Sequence, residues 1–352
     1  MRKSNSSKAG TARTGKSKAD SGLVTPAQVF ESTAAIGLSN FFYFCTEIME
    51  FRDIKDDEQR KWCDALQELK YRPPGAGRKK MLLAAKDTFK TTIATICFPL
   101  WLLVDKNSKY WGRNLKAMLG NGNLDKSKGY IQEIRDIIKK KAKFIACYGE
   151  FRETSDEWTK QRLTVEREMV SNDATFQAVG TKTAVSSSHP NLIILDDWSN
   201  EKNSLTPGGL EEQKRSMKEV LAVGDQGAIV IIMGHRFHYK DIFWHLTEDK
   251  ETPEEVRKQW NACKIFAPAQ EGGRLDCQED GRIVFPHRLP ADVLARKRAD
   301  IGTAFYKTYY LLDPSGMLGK KFKLTWLDKK YVKRPDIPGT CLFFAGVDMA
   351  TG

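Results

Sequence analysis

The fold of this chain is decided by residues 78–95, which read RKKMLLAAKDTFKTTIAT. The apolar run from Met81 to Ala85 predicts a buried strand, and after a short polar turn Lys90-Thr91-Thr92 begins a run of helical character. This is the layout of a phosphate-binding loop, because free backbone N–H groups and the dipole at a helix start attract an anion. The lysine adds a positive charge near the outer phosphates, and the hydroxyl after it can hold Mg²⁺.

The general pattern for such a loop, G-x-x-x-x-G-K-[ST], is not met in full. Ala84 and Phe89 occupy the positions of its two glycines. An ordinary polar turn, in which Lys90 and Thr91 follow a strand by chance, is therefore the alternative to a nucleotide site.

A second stretch, NLIILDD at residues 191–197, has the length of a buried parallel strand and ends in two adjacent carboxylates. Asp196 at the strand tip can hold Mg²⁺, and Asp197 can orient and deprotonate the attacking water of a nucleotide triphosphatase. Simple solvation of a strand end is the alternative. A third apolar run, residues 228–238, contains Gly234-His235-Arg236 and predicts either a strand tip beside the nucleotide or an ordinary turn.

Five motifs in this order and spacing resemble the large terminase subunit of tailed bacteriophages. They are the loop, the Asp-Asp strand, the Gly-His-Arg strand, Phe285-Pro286-His287-Arg288, and FFAGVDMATG at residues 343–352. The family is a DNA-packaging motor with an N-terminal ATPase and a C-terminal nuclease of the RNase H type. The similarity runs from about residue 55 to residue 352. It implies an ASCE-type P-loop NTPase, an α/β fold with a mostly parallel sheet and helices on both faces.

The resemblance also assigns the site. The family's loop often reads Pro-Arg-x-x-x-Lys-[Ser/Thr] without strict glycines, and residues 85–91 fit that version, with Lys86 in the place of the arginine. Lysine cannot grip a phosphate bidentately, so the role of Lys86 in sensing the γ-phosphate is open. The residues implied to bind ATP are Ala85, Lys86, Asp87, Thr88, Phe89, Lys90, Thr91 and Thr92. The implied catalytic residues are Lys86, Lys90, Asp197 and Arg236, and the Mg²⁺ that accompanies ATP would be held by Thr91 and Asp196.

The segment Gly234-His235-Arg236 would couple hydrolysis to a domain movement that drags DNA. The family normally has Gly-Thr-Arg there, so the role of His235 is open.

Composition agrees with this prediction. A chain of 352 residues with 41% apolar content can bury a substantial core, and one large α/β domain with small appendages is the natural partition. The net charge of +12 implies a polyanionic partner, for which nucleic acid is the obvious candidate and a membrane surface the alternative. The longest apolar run, residues 93–104, is too short and Pro-interrupted to span a bilayer. The seven cysteines lack C-x-x-C spacing, which favours a reducing cytoplasm over a structural zinc site.

The domain organisation follows from composition and motif order. Residues 1–24 are predicted to be a disordered basic tail, since residues 1–22 hold six Lys or Arg and one Asp and lack an apolar period. The tail is expected to attract phosphates, with a merely solvated terminus as the alternative. The ATPase domain is predicted over residues 25–340, with an N-terminal helical part over 25–70 and a closing segment over 251–340.

Further elements are predicted between the motifs. A strand over 114–119 and a helix over 124–141 follow the loop helix, and an extra strand at this point is typical of the ASCE class. Two strands over 158–166 and 175–178 precede the Asp-Asp strand, and a crossover helix over 210–221 follows it. Strand, crossover helix and strand repeated in this way favour a parallel sheet with helices on both faces.

The last residues match the family's first nuclease strand, whose aspartate, here Asp348, helps hold two metal ions. One carboxylate cannot build a two-metal site, and the remaining acids need on the order of a hundred more residues. We therefore expect an incomplete nuclease domain over residues 341–352 and no endonuclease activity from this chain.

The sequence thus predicts an ATP-hydrolysing motor of viral DNA packaging that uses ATP and Mg²⁺ and translocates double-stranded DNA into a procapsid. The resemblance implies the portal, the procapsid and the small terminase subunit as partners, a homo-oligomeric ring on the portal, no membrane, and action in the host cytoplasm. Two alternatives stay open. One is another nucleic-acid-dependent ATPase or helicase, and the other is a catalytically silent DNA-binding or capsid-docking derivative of the fold.

Overall fold

The computed structural model of the chain describes residues 25–317, apart from 75, 109, 153, 155–159, 168–170, 186–187 and 272–280. The predicted basic tail over 1–24 and the predicted nuclease strand with Asp348 lie outside the described residues, as do residues 318–340 of the predicted closing segment.

In the described part of the chain, seven strands form one sheet and two short strands pair separately. The strands are β1 (Lys79–Ala84), β2 (Ala117–Gly120), β3 (Arg162–Leu163), β4 (Phe176–Val179), β5 (Leu192–Asp196), β6 (Ile229–Gly234), β7 (Lys264–Ala267), β8 (Gln270–Glu271) and β9 (Arg282–Ile283). The order in the sheet is β3-β4-β2-β5-β6-β1-β7, and every pairing is parallel except that of β3 with β4. One strand, β6, therefore separates β1, which feeds the predicted phosphate loop, from β5, which ends in Asp196.

Helices occupy most of the remaining described chain. The α-helices are α1 (Pro26–Ser39), α2 (Phe41–Tyr43), α3 (Asp57–Tyr71), α4 (Phe98–Leu103), α5 (Leu124–Lys140), α6 (Ala142–Tyr148), α7 (Glu201–Ser204), α8 (Pro207–Ala222), α9 (Ile242–Thr247), α10 (Glu254–Ala262) and α11 (Ala291–Tyr310). Two π-helical segments cover Phe44–Ile48 and Thr92–Cys97, and two 3₁₀ turns cover Gly112–Asn114 and Pro314–Met317.

The helices cover both faces of the sheet, and the strand sequences explain why. In β1, Leu82 and Ala84 belong to one hydrophobic core, whereas Met81 and Leu83 belong to the other. Successive side chains of a strand point to opposite faces, so a strand that is apolar at every position must be covered on both. Helices α2 to α6 and α11 contribute to the first core, and α8, α9 and α10 contribute to the second. The predicted α/β class, with a mostly parallel sheet and helices on both faces, is confirmed.

Individual elements match their predictions with small shifts. The helix predicted over 124–141 is α5, and the crossover helix predicted over 210–221 is α8. Helix α8 begins three residues earlier than predicted, because the Thr206 hydroxyl accepts a hydrogen bond from the Gly209 N–H and Pro207 fits the first helical position. The strand predicted over 158–166 is much shorter in the described residues, where β3 spans two residues at an antiparallel edge.

The helix after the phosphate loop is buried, as the apolar run over 93–104 predicted. It is irregular, however, since a π-helical segment over Thr92–Cys97 precedes α4. Pro99 lies at the start of α4 and has no N–H to donate back to the preceding turn, which is a physical reason for the change in hydrogen-bond spacing. None of the described helices combines the length and the apolarity that a membrane span requires.

Candidate active site

Most of the predicted site residues meet at one edge of the sheet, whereas Arg236 lies apart from them. Strands β1, β6 and β5 are parallel neighbours, so their carboxyl ends lie side by side. The phosphate loop follows β1, Asp196 ends β5 with Asp197 just after it, and His235 follows β6. This is the edge at which open parallel sheets bind ligands.

The loop after β1 adopts a backbone conformation typical of glycine, although its sequence has no glycine there. Phe89 has φ +67° and Asp87 has φ +66°, both in the left-handed region that glycine normally supplies. For a residue with a side chain this conformation costs about 1–2 kcal/mol. The guanidinium of Arg288 lies 4.5 Å from the centre of the Phe89 ring, a contact that helps hold Phe89 in place. The absence of the glycine therefore does not prevent the loop conformation.

Neighbouring elements anchor the rest of the loop. The Thr88 hydroxyl donates to the Ala85 carbonyl at 2.7 Å, and Gln59 of α3 donates from Nε2 to the Thr88 carbonyl at 3.1 Å. The carboxylate of Asp87 accepts hydrogen bonds from Lys297 Nζ at 3.0 Å and from the Tyr310 hydroxyl at 2.9 Å. Among the predicted ATP-binding residues, Ala85, Asp87 and Thr88 are thus bound within the protein and support the loop.

Lys86 is turned toward α11. Its backbone N–H donates to the Tyr309 carbonyl at 2.8 Å, and its Nζ lies 4.7 Å from the centre of the Tyr309 ring. The structure places Lys86, whose role in sensing the γ-phosphate the sequence leaves open, on an aromatic ring at the side of the loop.

A hydrogen bond between Thr91 and Asp196 connects the loop after β1 to the end of β5. The Thr91 hydroxyl donates to Oδ2 of Asp196 at 2.6 Å, and the Tyr130 hydroxyl of α5 donates to the same oxygen at 2.9 Å. Asn121 in turn donates from Nδ2 to the Tyr130 oxygen at 3.0 Å. Thr91 and Asp196 are 105 positions apart in sequence, so only the predicted fold brings them together.

Asp196 is fully buried, and one of its oxygens has no partner. Burial, together with the charge of Asp197, raises the pKa of Asp196 to about 6. Its Oδ1 makes no hydrogen bond to any described residue. A buried carboxylate oxygen beside a threonine hydroxyl suits Mg²⁺, which prefers oxygen ligands. The residues present therefore fit the predicted metal site.

Asp197 faces two basic side chains. Its Oδ1 lies 3.5 Å from Lys90 Nζ and 3.2 Å from His235 Nδ1. Burial alone would raise the pKa of Asp197, but Lys90 and His235 outweigh it and hold the pKa well below its ordinary value. Asp197 is therefore an ionised carboxylate, and its backbone has φ +46°, a left-handed conformation that is strained for a residue with a side chain.

The predicted catalytic residue Arg236 lies apart from this cluster. Its Nε donates to Oδ2 of Asp241 at 2.8 Å. Asp241 is fully buried and also caps α9, since its Oδ1 accepts from the Trp244 N–H at 2.9 Å. Burial raises the pKa of Asp241 to about 6 even though Arg236 lowers it. The structure uses Arg236 to hold the start of α9.

Two residues at the site, Gln59 and Tyr130, were not singled out from the sequence. The helical spacing of Tyr309 and Tyr310 predicts core positions, and the sequence leaves the role of His235 open. Tyr130 has no motif of its own, because its role depends on the packing of α5 beside β5. Arg288 belongs to a segment that the sequence did single out, and it contacts the loop twice, through the Phe89 ring and through a 2.9 Å hydrogen bond from its Nε to the Asp87 carbonyl. Asp348 lies outside the described residues.

The described fold is an α/β sheet whose carboxyl edge gathers residues from the predicted site. A lysine and a hydroxyl follow β1, two carboxylates lie at the end of β5, and one strand separates them in a mostly parallel sheet.

Comparison with known proteins adds structural likenesses at low identity. No family model matches the chain, and no curated protein matches it. Two structures of the large terminase ATPase domain of Thermus phage P74-26, one of them a point mutant, are similar at 11% and 12% identity, with TM-scores of 0.40 and 0.42, over 72% of this chain and 97% of theirs. The large terminase of bacteriophage HK97 is similar at 14% identity and a TM-score of 0.48, over 74% of this chain and 50% of that one. These proteins bear the family name that the motifs predicted, but each TM-score is below 0.5, so we draw no functional conclusion from them.

Proposed function

We propose that this chain is an ATP-hydrolysing motor subunit of viral DNA packaging, a large terminase subunit that translocates double-stranded DNA. One observation carries the ATPase part. The 2.6 Å hydrogen bond between Thr91 and Asp196, beside the contact of Lys90 with Asp197, brings together the residue types that a nucleotide triphosphatase site needs. The packaging part is supported by the order of the sequence motifs and by the net charge of +12, which suits a polyanionic partner.

Each residue of the cluster has a proposed role in hydrolysis. Lys90 contacts the β- and γ-phosphates of ATP, and Thr91 and Asp196 hold Mg²⁺. When bound, Mg²⁺ neutralises charge that develops on the phosphate oxygens. Asp197 accepts a proton from water as the water oxygen bonds to the γ-phosphorus, and the bond from that phosphorus to the bridging oxygen breaks to release ADP.

Two further residues have proposed roles that require movement. Lys86 would reach the γ-phosphate only after leaving the Tyr309 ring, on which it now lies. Arg236 would couple hydrolysis to a domain movement through α9, because it already holds Asp241 at the start of that helix.

The proposed partners follow from the packaging role. They are double-stranded DNA, the portal of the procapsid, a small terminase subunit and further copies of this chain in a ring on the portal. The proposed place of action is the host cytoplasm, at the procapsid.

The test is ATP turnover of the purified chain, measured with and without double-stranded DNA. Asp197→Asn should retain binding of ATP with Mg²⁺ but lose turnover by about a hundredfold or more, the loss expected for a missing general base. Asp136→Asn is the matched control, since Asp136 is an exposed acid of α5 that pairs with Lys140 at 2.7 Å away from the site. Unchanged turnover in Asp197→Asn would refute the assignment of the base.

The same measurements separate the two alternatives. Strand displacement on naked DNA without procapsids would favour a helicase. No turnover by the wild-type chain, with or without DNA, would favour a catalytically silent derivative.

A further inference from the structure

His235 occupies a position at the site that the proposed roles leave unused. It follows the last residue of β6, is only 3% exposed, and points Nδ1 at Oδ1 of Asp197 across 3.2 Å. Its Nε2 is buried and has no hydrogen-bond partner among the described residues. The ring packs nearly perpendicular to Phe237 and Tyr309, with centroid distances of 6.1 and 5.5 Å. Packing therefore fixes the ring, and its polar contact is with the proposed catalytic base.

Gly234 allows the tip of β6 to lie close to the carboxylate of Asp197. A Cβ atom at Gly234 would lie 3.2 Å from Oδ1 of Asp197 and 3.2 Å from the Phe243 ring. Such distances are tighter than ordinary van der Waals contact, so any side chain here would push β6 and Asp197 apart. A glycine just before the histidine keeps the strand tip close to the carboxylate.

The imidazole must present a proton to Asp197. Burial lowers the pKa of His235 and the positive charge of Lys90 lowers it further, against the opposing charge of Asp197, so the neutral ring is favoured at pH 7. A neutral imidazole carries one N–H, and a bare Nδ1 would face the negative oxygen of Asp197 with a lone pair. The stable arrangement therefore has the proton on Nδ1 and a bare Nε2.

The geometry of Asp197 shows why this proton matters. Its Oδ1 is buried, although the side chain as a whole is 26% exposed, so a water could be activated only at Oδ2. Two donors face Oδ1, namely Lys90 and His235. If Lys90 contacts the phosphates during the reaction, as proposed above, His235 is the neighbour left to hold Oδ1.

We propose that His235 is a positioning residue for the hydrolysis reaction. Its Nδ1–H holds Oδ1 of Asp197 and thereby keeps Oδ2 turned toward the attacking water. The 3.2 Å contact lacks the alignment of a full hydrogen bond in this structure, and it is expected to tighten when ATP draws Lys90 away. This inference rests on the proposed ATPase function and assigns a role to the residue that replaces the family's threonine.

Two near-isosteric substitutions test the two ring nitrogens separately. In His235→Asn the amide nitrogen can take the place of Nδ1, while nothing replaces Nε2. In His235→Gln the side chain reaches the place of Nε2 but leaves no donor at Nδ1. We expect His235→Asn to retain kcat within about threefold of wild type. We expect His235→Gln to lose kcat by on the order of a hundredfold, the loss typical of a reacting group misplaced by about an ångström.

Binding and folding readouts keep the test specific. Affinity for a non-hydrolysable ATP analogue and the melting temperature should stay close to wild type in His235→Asn and His235→Gln, because the proposed role affects kcat and not KM. His238→Gln is the matched control. His238 lies three residues further on, and its Nδ1 accepts a hydrogen bond from the Lys240 N–H at 3.0 Å outside the site. It should leave kcat unchanged.

Two kinetic outcomes would overturn the inference while leaving the ATPase function intact. One is wild-type kcat in both His235 variants. The other is a wild-type kcat in His235→Gln together with a reduced kcat in His235→Asn, which would assign the role to Nε2.

The protonation of the ring can be read without any turnover. In ¹⁵N-histidine-labelled protein, with His235→Gln used for assignment, we expect a protonated Nδ1 and a bare Nε2. The opposite tautomer would overturn the inference. If the wild-type chain does not hydrolyse ATP, the proposed function fails and the positioning role in hydrolysis is overturned with it, while the tautomer still shows whether Nδ1–H faces Asp197.

Discussion

At the scale of single residues, strain is concentrated at the site. Five non-glycine residues of the described chain have positive φ, and Asp87, Phe89 and Asp197 are three of them. Such conformations persist only where surrounding contacts hold them, and they cluster at functional sites. Phe89 is held by Arg288, which lies far away in sequence. Local propensity therefore disfavours the phosphate-loop conformation at Phe89, whereas tertiary contacts stabilise it.

Lys90 is the residue whose loss should most directly affect nucleotide binding. It is buried, with 7% exposure, and faces Asp197. In Lys90→Met the apolar stem remains but the charge is lost. A hydrogen bond to a charged group contributes about 2–3 kcal/mol, so affinity for ATP should fall by on the order of a hundredfold. The measurement is equilibrium binding of a fluorescent ATP analogue, with circular dichroism to confirm folding. A folded variant with wild-type affinity would place the phosphate site elsewhere.

Tyr130 should affect the metal more than the nucleotide. Burial, together with the negative charge of Asp196, raises the pKa of Tyr130 well above its ordinary value, so its hydroxyl is a permanent donor to Asp196. Tyr130→Phe removes this donor and leaves the ring in place. Partners that orient a metal ligand typically contribute a factor of 10–100, so the Mg²⁺ concentration at half-maximal turnover should rise about tenfold. The check is a Mg²⁺ titration of ATP turnover.

Tyr43→Phe is the matched control for that titration, because Tyr43 lies in α2, away from the site. An equal Mg²⁺ requirement in Tyr130→Phe and wild type would show that Thr91 alone suffices to orient Asp196.

The core of the site was predictable from sequence, but its supports were not. Lys90, Thr91, Asp196 and Asp197 follow strands whose apolar runs are long enough to recognise, and a parallel sheet must bring such strand ends together. Tyr130 and Gln59 lie on helices with no motif. Their contacts depend on how each helix packs, which a single sequence does not specify.

At the scale of elements, strand order determines which motifs meet. Apolar runs predicted β1, β5 and β6, yet the insertion of β6 between the other two becomes visible only in the register, where Asp196 pairs with Met233 and Leu83 pairs with Gly234. This register places His235 beside Asp197. The pairing of β7 with the free side of β1 was also not predicted, because its sequence, KIFA, is short and only partly buried.

A buried ion pair connects two elements of the first core. Nζ of Lys70, in the last turn of α3, lies 3.0 Å from Oδ2 of Asp105 just after α4. The Lys70 side chain is 2% exposed and the Asp105 side chain 21%, so the two partners are not equivalent. Removing the carboxylate leaves a buried cation without its partner, whereas removing the cation leaves a carboxylate that still reaches water.

Asp105→Ala should therefore destabilise the protein more than Lys70→Met does. We expect a loss of about 3 kcal/mol in the free energy of unfolding for Asp105→Ala and about 1 kcal/mol for Lys70→Met. The double variant should be more stable than Asp105→Ala alone. Urea denaturation of the three variants measures these differences. Equal losses in the two single variants would mean that the pair is not coupled.

The same pair predicts a pH dependence. Burial lowers the pKa of Lys70 below its ordinary 10.5, although Asp105 opposes the shift. Asp105→Ala removes the carboxylate that raises the pKa of Lys70, so the pKa of Lys70 falls further. Between the lowered folded pKa and the unfolded pKa near 10.5, the unfolded chain binds more protons, so stability rises with pH. The loss caused by Asp105→Ala should accordingly be smaller at pH 9.5 than at pH 7.

At the scale of the whole molecule, charge is the feature that links the site to the proposed partner. The chain carries a net charge of +12, and its first 22 residues hold six of the 57 Lys and Arg residues with a single Asp. Basic character therefore extends well beyond the tail. Composition could predict a polyanionic partner, but it could not predict which surface binds it, because surface charge depends on the fold.

Deletion of residues 1–24 separates the contribution of the tail to DNA binding from that of the rest. Each phosphate that a Lys or Arg neutralises adds about 0.9 to the slope of log affinity against log salt concentration. If the tail contacts DNA, the deletion should reduce this slope by up to about five and weaken affinity most at low salt. ATP turnover without DNA should stay unchanged, since every residue placed at the proposed site lies between Gln59 and Tyr310. A control chain in which the order of the first 24 residues is shuffled should bind DNA like wild type, because attraction to phosphates is independent of order. Fluorescence anisotropy with duplex DNA between 50 and 300 mM salt provides the measurement. A deletion variant with an unchanged slope would show that the tail is a solvated terminus and that the DNA contacts belong to the rest of the chain.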